Sequence, residues 1–204
     1  MEEFFKLRAD KQSHIIDAAF TVFSQNAYKK ASMGDVAAAA GISKAMVFYY
    51  FGNKKSLYLH LIGVCGDLLT TEFAAGFDAD VTDFFDRIRA ATVMKMDVMM
   101  RHPYVLPFIE AIYHETDPEV ADDVHNLVAA GASNTWETLL QGADVSKFAD
   151  PDAPRLLAKL LNWAGEGMAN ADSDELNAQV ADFVACLELM KKHFYVAENT
   201  KKES

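Results

Sequence analysis

Apolar residues recur every three or four positions along most of this chain, with polar residues on the intervening helical face. Ile15, Ile16, Ala19, Phe20 and Phe23 form one such stripe and predict a helix from about Asp10 to Asn26. Ser32 opens the next helix, with Asp35 three residues on as its capping-box partner. Gly41 closes that helix, and Ile42 packs back on its end. Ser43 caps a third helix, Lys44 to Phe51. After the break at Gly52-Asn53, Asn53 caps a long fourth helix reaching about Ala75.

Helices continue to the C-terminus. Asp80 or Thr82 caps a run through Arg101 that carries Phe84, Phe85, Ile88, Ala91, Met96 and Met99. Pro103 suits the first turn of a short helix reaching Tyr113. Asp117-Pro118-Glu119 starts a helix that ends near Gly142, and Pro154 opens another to about Asn170. Asp172 with Glu175 makes a capping box for the last helix, which ends near Tyr195 before a frayed NTKKES tail. No segment has the strand period. The pattern predicts an all-α protein of about nine helices.

Composition narrows the class. With 204 residues and 51% hydrophobic content the chain can bury a sizeable core and is not a disordered protein. No run approaches the roughly 18 apolar residues of a spanning helix, and MEEFFKLRADK has no signal-peptide core. A cytoplasmic protein without a membrane partner is expected. Cys65 and Cys186 are far apart and lack a CxxC partner, which excludes a disulfide framework and a zinc ribbon.

Charge is unevenly distributed. The formal net charge is -11, yet residues 1–60 hold eight Lys or Arg against five acids, a net +3. The remainder is at -14. A mildly basic head on an acidic body fits a nucleic-acid contact made by the head alone.

Within that head, two short helices meet at a tight turn. Val36 and Ala37 face inward, Gly41 makes the turn, Ile42 plugs the corner, and Val47, Tyr50 and Phe51 return to the core. Ala37 is small because the second helix crosses there. Ser43, Lys44, Ala45, Phe48 and Tyr49 are left on the outer face, at the end that enters the major groove in a helix-turn-helix. Lys44, Ala45 and Met46 lie over base edges in this reading, while Tyr49 and Lys54 flank the groove as phosphate donors.

The stretch SMGDVAAAAGISKAMVFYYFGNKKSLY, residues 32 to 58, resembles the DNA-binding domain of TetR-family transcriptional regulators. Ala40-Gly41-Ile42-Ser43, Tyr50-Phe51, Lys54 and Leu57 match the family pattern, and residues 15 to 32 resemble its first helix and the approach to the second. Ala45 stands where the family usually has glycine, and Phe48 where it has a tyrosine that often binds phosphate. The resemblance covers residues 12 to 60 and implies a DNA interface of Ser32, Ser43, Lys44, Ala45, Met46, Phe48, Tyr49 and Lys54. It implies a reader at residues 1–52 and an effector and dimerisation domain at 53–204.

The body carries methionines and aromatics on segments that surround one interior. These side chains suit a cavity for an apolar ligand and equally a filled core. Family bodies usually enclose an effector pocket beside the fourth helix. That implies ligand contacts from Phe73, Met96, Met99, Phe108, Ile112, Trp136, Trp163 and Met168. Family members dimerise through their last two helices, for which Leu156, Leu157, Leu160, Leu161, Phe183, Leu187 and Met190 are available here. Gly165 and Gly167 permit close helix approach.

Other chemistry is poorly represented. Glu110 and His114 share a helix face near His102 and His125, but spacing fixes no third ligand, and no metal is expected. No G-x-S-x-G elbow or G-x-x-x-x-G-K-[ST] loop occurs. The expectation is therefore no enzyme and no cofactor. The chain reads as a homodimeric repressor that leaves a palindromic double-stranded operator when a small apolar or aromatic effector binds. The alternative is a helical small-molecule carrier or enzyme that does not bind DNA.

Overall fold

The computed structural model describes residues 1–78, 80–168 and 173–196. In chain order these form α1 (Glu2–Phe5), α2 (Ala9–Gln25), α3 (Met33–Ala39), α4 (Lys44–Phe51), α5 (Lys54–Gly76), α6 (Phe84–Arg101), α7 (Val105–Tyr113), α8 (Ala121–Leu140), α9 (Ala153–Met168) and α10 (Ser173–Phe194). Ten described helices replace the nine expected. The addition is α1, a single turn whose Phe4 is buried against the rings of Phe51 at 4.8 Å, His60 at 6.0 Å and Tyr50 at 6.2 Å.

Side-chain caps fix most of the early boundaries. Ser32 Oγ accepts from the Asp35 N–H while the Asp35 carboxylate accepts from the Ser32 N–H, a reciprocal capping box. Ser43 Oγ accepts from the Met46 N–H, and Asn53 Oδ1 from the Ser56 N–H. The start of α6 differs from expectation. Asp83, rather than Asp80 or Thr82, caps it by accepting from the N–H groups of Phe85 and Asp86. Asp172, the expected cap of α10, lies outside the described residues.

The described helices pack as two compact units, Met1–Thr71 with Asp97–Gly131, and the described residues of Glu72–Met96 with those from Ala132 onward. This division by compactness differs from the functional division expected at residue 52.

In the first unit, α2 buries Ile15, Ile16, Ala19, Phe20 and Phe23, the stripe that its period predicts. The Phe20 ring stacks on Tyr104 at 4.6 Å and meets Phe108 edge-on at 4.9 Å. Phe108 reaches Tyr58 of α5, which in turn touches Phe23 and Tyr28. Such aromatic pairs add about 0.5–1.5 kcal/mol each beyond area burial, so this chain of rings ties α2, α5 and α7 together.

The second unit is built on Phe84, Phe85, Ile88, Leu139, Phe148, Leu157, Leu161 and Leu187. Buried Arg87 closes the core by donating to the carbonyls of Val81, Leu139 and Gln141 at 2.6, 2.7 and 2.8 Å. It thereby caps the end of α8, whose last carbonyls have no helical partner. Its guanidinium also lies over the Phe77 ring at 4.5 Å. Burial tends to raise the Asp83 carboxyl pKa. Contacts from Lys147 at 3.0 Å and Lys191 at 3.2 Å, with the Asp86 N–H, outweigh that and hold it below the usual value.

The last two helices show which candidate interface residues are free. Leu157, Leu161 and Leu187 are buried in the core of the second unit, so they are not available to a partner. On α9, Leu156, Leu160 and Trp163 stand 54%, 46% and 64% exposed along one line. Phe183 and Met190 are partly buried.

Two outcomes follow from the ionic core. Arg87→Met leaves the buried Leu139 carbonyl and the partly buried carbonyl contacts of Val81 and Gln141 without a donor and is expected to cost about 3 kcal/mol in urea unfolding. Because the folded Asp83 pKa is depressed, its contribution is complete above the unfolded value near 3.9 and is lost as pH falls through the lower folded value. Asp83→Asn should therefore destabilise the chain at neutral pH and flatten its stability profile below about pH 4. A profile as steep as the parent's would place the acid-sensitive group elsewhere.

Candidate nucleic-acid interface

The α3–α4 pair is held by a short buried seam. Val36, Ala37, Ala40, Val47, Tyr50 and Phe51 are all buried. Gly41 adopts φ +62, a left-handed conformation that a side chain would strain, and the Ile42 N–H then donates to the Ala37 carbonyl at 3.0 Å. This turn sets the register of α4. Ser43, Lys44, Ala45, Phe48 and Tyr49 consequently face solvent, and Met46 is half-buried beside them.

The exposed face is mixed in character. Phe48 is 42% and Tyr49 65% exposed, while the Lys44 ammonium sits 5.9 Å from the Phe48 ring. Ser32 is exposed, but its hydroxyl donates to Asp35 at 2.7 Å, so its hydrogen is already used within the capping box. Ser43 uses an acceptor lone pair on Met46 and keeps its hydroxyl hydrogen for an anion.

Lys54, expected at a phosphate, is turned toward the loop between α2 and α3. Its ammonium donates to the carbonyls of Tyr28 at 2.9 Å and Ala31 at 3.2 Å and lies 4.1 Å from the Tyr28 ring centroid. From the other side, the Glu115 carboxylate accepts from the Tyr28 N–H at 2.9 Å and from the N–H groups of Thr116 and Asp117. The loop from α2 to α3 is thus strapped to the start of α5 and to the segment before α8. Lys55 pairs with Asp123 at 2.6 Å beside this junction. Sequence reasoning missed Glu115 because nothing local links it to a loop 87 positions earlier.

The residues expected at a ligand site divide between the two units. Met99, Phe108 and Ile112 are buried in the first, with Phe108 packed between Phe20 and Tyr58. In the second, Phe73 stacks on Phe77 at 4.6 Å, Met96 is half-buried, and Trp136 donates to Asn162 Oδ1. Trp163 is exposed, and the Met168 side chain lies outside the described residues. The second unit also has a mainly apolar trough of about 330 Å³ lined by Gly76, Val81, Arg89, Ala90, Val93 and Met94. No described group of His, Cys, Asp and Glu is placed to hold a metal ion, and no described helix is long and apolar enough to cross a membrane.

Residues 15–61 match the model of the family described as bacterial regulatory proteins, tetR family. The HTH-type negative transcriptional regulator IcaR of the icaADBC biofilm operon of Staphylococcus aureus (strain Newman) is 40% identical over 55 residues. That match takes in 27% of this chain and only 30% of the relative. Two solved structures resemble nearly the whole chain. A TetR-family regulator from Chloroflexus aurantiacus superposes with a TM-score of 0.67 at 19% identity, covering 97% of this chain and 99% of that one. FadR from Bacillus subtilis, in complex with stearoyl-CoA, gives a TM-score of 0.63 at 16% identity, covering 88% and 95%. At such identities the likeness is one of fold.

The inward placement of Lys54 has a measurable signature. Lys54→Met should lower the melting temperature, because two carbonyls lose a charged donor, yet leave the slope of log affinity against log salt unchanged. A direct phosphate contact would instead reduce that slope by about 0.9.

Proposed function

We propose that this chain, a member of the TetR family of bacterial regulatory proteins, is a dimeric, effector-released transcriptional repressor. Residues 1–52 act as the reader and 53–204 as the effector and dimerisation part. One observation carries the reading. The cap and outer face of α4 present Ser43, Lys44, Ala45, Phe48 and Tyr49 outward, with no acidic side chain among them, in a chain of net charge -11. A structural helix on an acidic protein has no need of such a face. Members of this family act by binding rather than by catalysis.

Two readers are needed for a palindromic operator, with half-sites about 34–36 Å apart. The exposed line Leu156, Leu160 and Trp163 on α9 supplies an apolar surface for a second copy. The relative named a negative regulator supports repression, and the FadR complex with stearoyl-CoA supports an apolar effector. Release requires that the effector prefer a conformation whose two readers are wrongly spaced, since equal affinity for both forms shifts nothing.

Fluorescence anisotropy on a random duplex pool at about 50 and 200 mM salt tests the DNA-binding part, with a steep loss of affinity expected. A helical carrier would bind at neither concentration. Leu160→Arg should remain folded, become monomeric by light scattering and bind a selected operator at least about tenfold more weakly. Leu187→Arg should unfold instead, because Leu187 is 1% exposed. A folded, dimeric Leu160 variant would move the interface off α9.

The effector arm is separate. Apolar and aromatic compounds, long-chain acyl thioesters included, are screened by melting temperature; a true ligand at 100 times its Kd stabilises by about 2.7 kcal/mol. Such a compound must also weaken operator binding. A stabilising compound that leaves operator affinity unchanged is not the effector.

A further inference from the structure

We propose that each operator half-site is read through the 5-methyl groups of thymines next to a guanine, with adenine and cytosine left unread by direct hydrogen bonds. This rests on the DNA-binding reading above and names the sequence class that the same face takes.

The argument is an inventory of donors and acceptors. In the major groove, guanine offers two acceptors and thymine a methyl beside one acceptor. Adenine is read bidentately by the amide of Asn or Gln, and cytosine by a carboxylate. From Lys44 to Phe51, α4 contains no Asn, Gln, Asp or Glu. The carboxylate of α3, on Asp35, is occupied by the N–H and hydroxyl of Ser32. Its partner Ser32 is committed in the same box. The outward groups of α4 and its cap reduce to one cation, two hydroxyls and an apolar patch.

Each of these has a natural role. Lys44 is a donor without an acceptor, which suits guanine O6 and N7. The Ser43 hydroxyl suits phosphate, because it stands at the helix cap, and the Tyr49 hydroxyl is drawn toward the Glu3 carboxylate rather than toward a base. Ala45, Met46 and Phe48 can offer only van der Waals contact, and in the major groove the apolar target is the thymine methyl. Ala45 is small enough to let the helix sit deep, and Phe48 keeps 42% of its surface in solvent where the family has a tyrosine. Lys44 and Phe48 lie four residues apart, about 6 Å along the helix or roughly two base steps. The guanine and the thymines are therefore near neighbours.

The test selects an operator from random duplexes with the full-length chain, then replaces single bases by analogues. Uracil for thymine removes only the methyl and should weaken binding about fourfold at each read position. On the opposite strand, 7-deazaadenine should stay within about twofold, because no side chain uses adenine N7. With 7-deazaguanine the Lys44 contact should be lost, and Lys44→Ala should make the protein indifferent to that analogue. Phe48→Ala should likewise abolish the uracil effect at one position while leaving the melting temperature unchanged. An enriched operator that tolerates uracil but not 7-deazaadenine overturns this proposal alone. If no sequence is enriched, the regulator reading falls, and this one with it.

Discussion

The segment between α2 and α3 makes no helix of its own, and the placement of the α3–α4 pair depends on how its backbone is satisfied. Lys54 supplies a cation to the Tyr28 and Ala31 carbonyls, and Glu115 supplies an anion to the Tyr28 N–H. Charged partners make such hydrogen bonds roughly twice as strong as neutral ones. Losing either would leave partly buried backbone groups unpaired at about 1–3 kcal/mol each. The loop is therefore not a hinge. It moves with the start of α5 and with the Glu115 segment, and α3 and α4 move with it through their buried seam. The proposed regulator would need such a joint, because a conformational signal fades if the element next to the α3–α4 pair is soft.

The same economy would resolve the contradiction between an acidic protein and the polyanionic partner proposed for it. At 0.1 M salt the Debye length is about 10 Å, so charges on the body act weakly beyond one helix diameter. What counts is the local inventory around α4, where the Asp35 carboxylate is held in its capping box and that of Glu3 is paired with Lys6. On that proposal the acidic body would limit binding to wrong surfaces. Specificity on that proposal would fall to shape and apolar contact, for which α4 offers Ala45, Met46 and Phe48.

Local signals were legible and long-range ones were not. Ser32 with Asp35, Ser43, Gly41 and Asn53 announce their structures within four residues, and each forms the cap or turn that its chemistry suggests. The buried stripe of α2 follows from its period. By contrast, α1 is too short to show a period and exists because Phe4 finds three aromatic neighbours. Asp83 wins over Asp80 and Thr82 because Lys147, Lys191 and Tyr195 converge on it from 64 to 112 positions away. Lys54 fits the family motif by position, yet the motif does not reveal that its ammonium turns inward to the Tyr28 loop. The matching lysine is a structural clamp first.

Helix α9 shows why the oligomeric reading needs the structure as well as the sequence. Its leucines look alike in the chain, but Ala153, Leu157 and Leu161 are buried while Leu156, Leu160 and Trp163 face out. A helix apolar on two sides satisfies one within its own unit and leaves the other needing cover. Exposed apolar side chains in a single line, including a tryptophan at 64% exposure, are what a soluble monomer avoids unless something seats there. A second copy is the simplest partner, since a two-fold axis presents the same line to itself. That symmetry would also carry over to the operator. Two copies related by a two-fold present identical α4 faces in opposite senses, so the half-site chemistry read by one must recur, inverted, under the other.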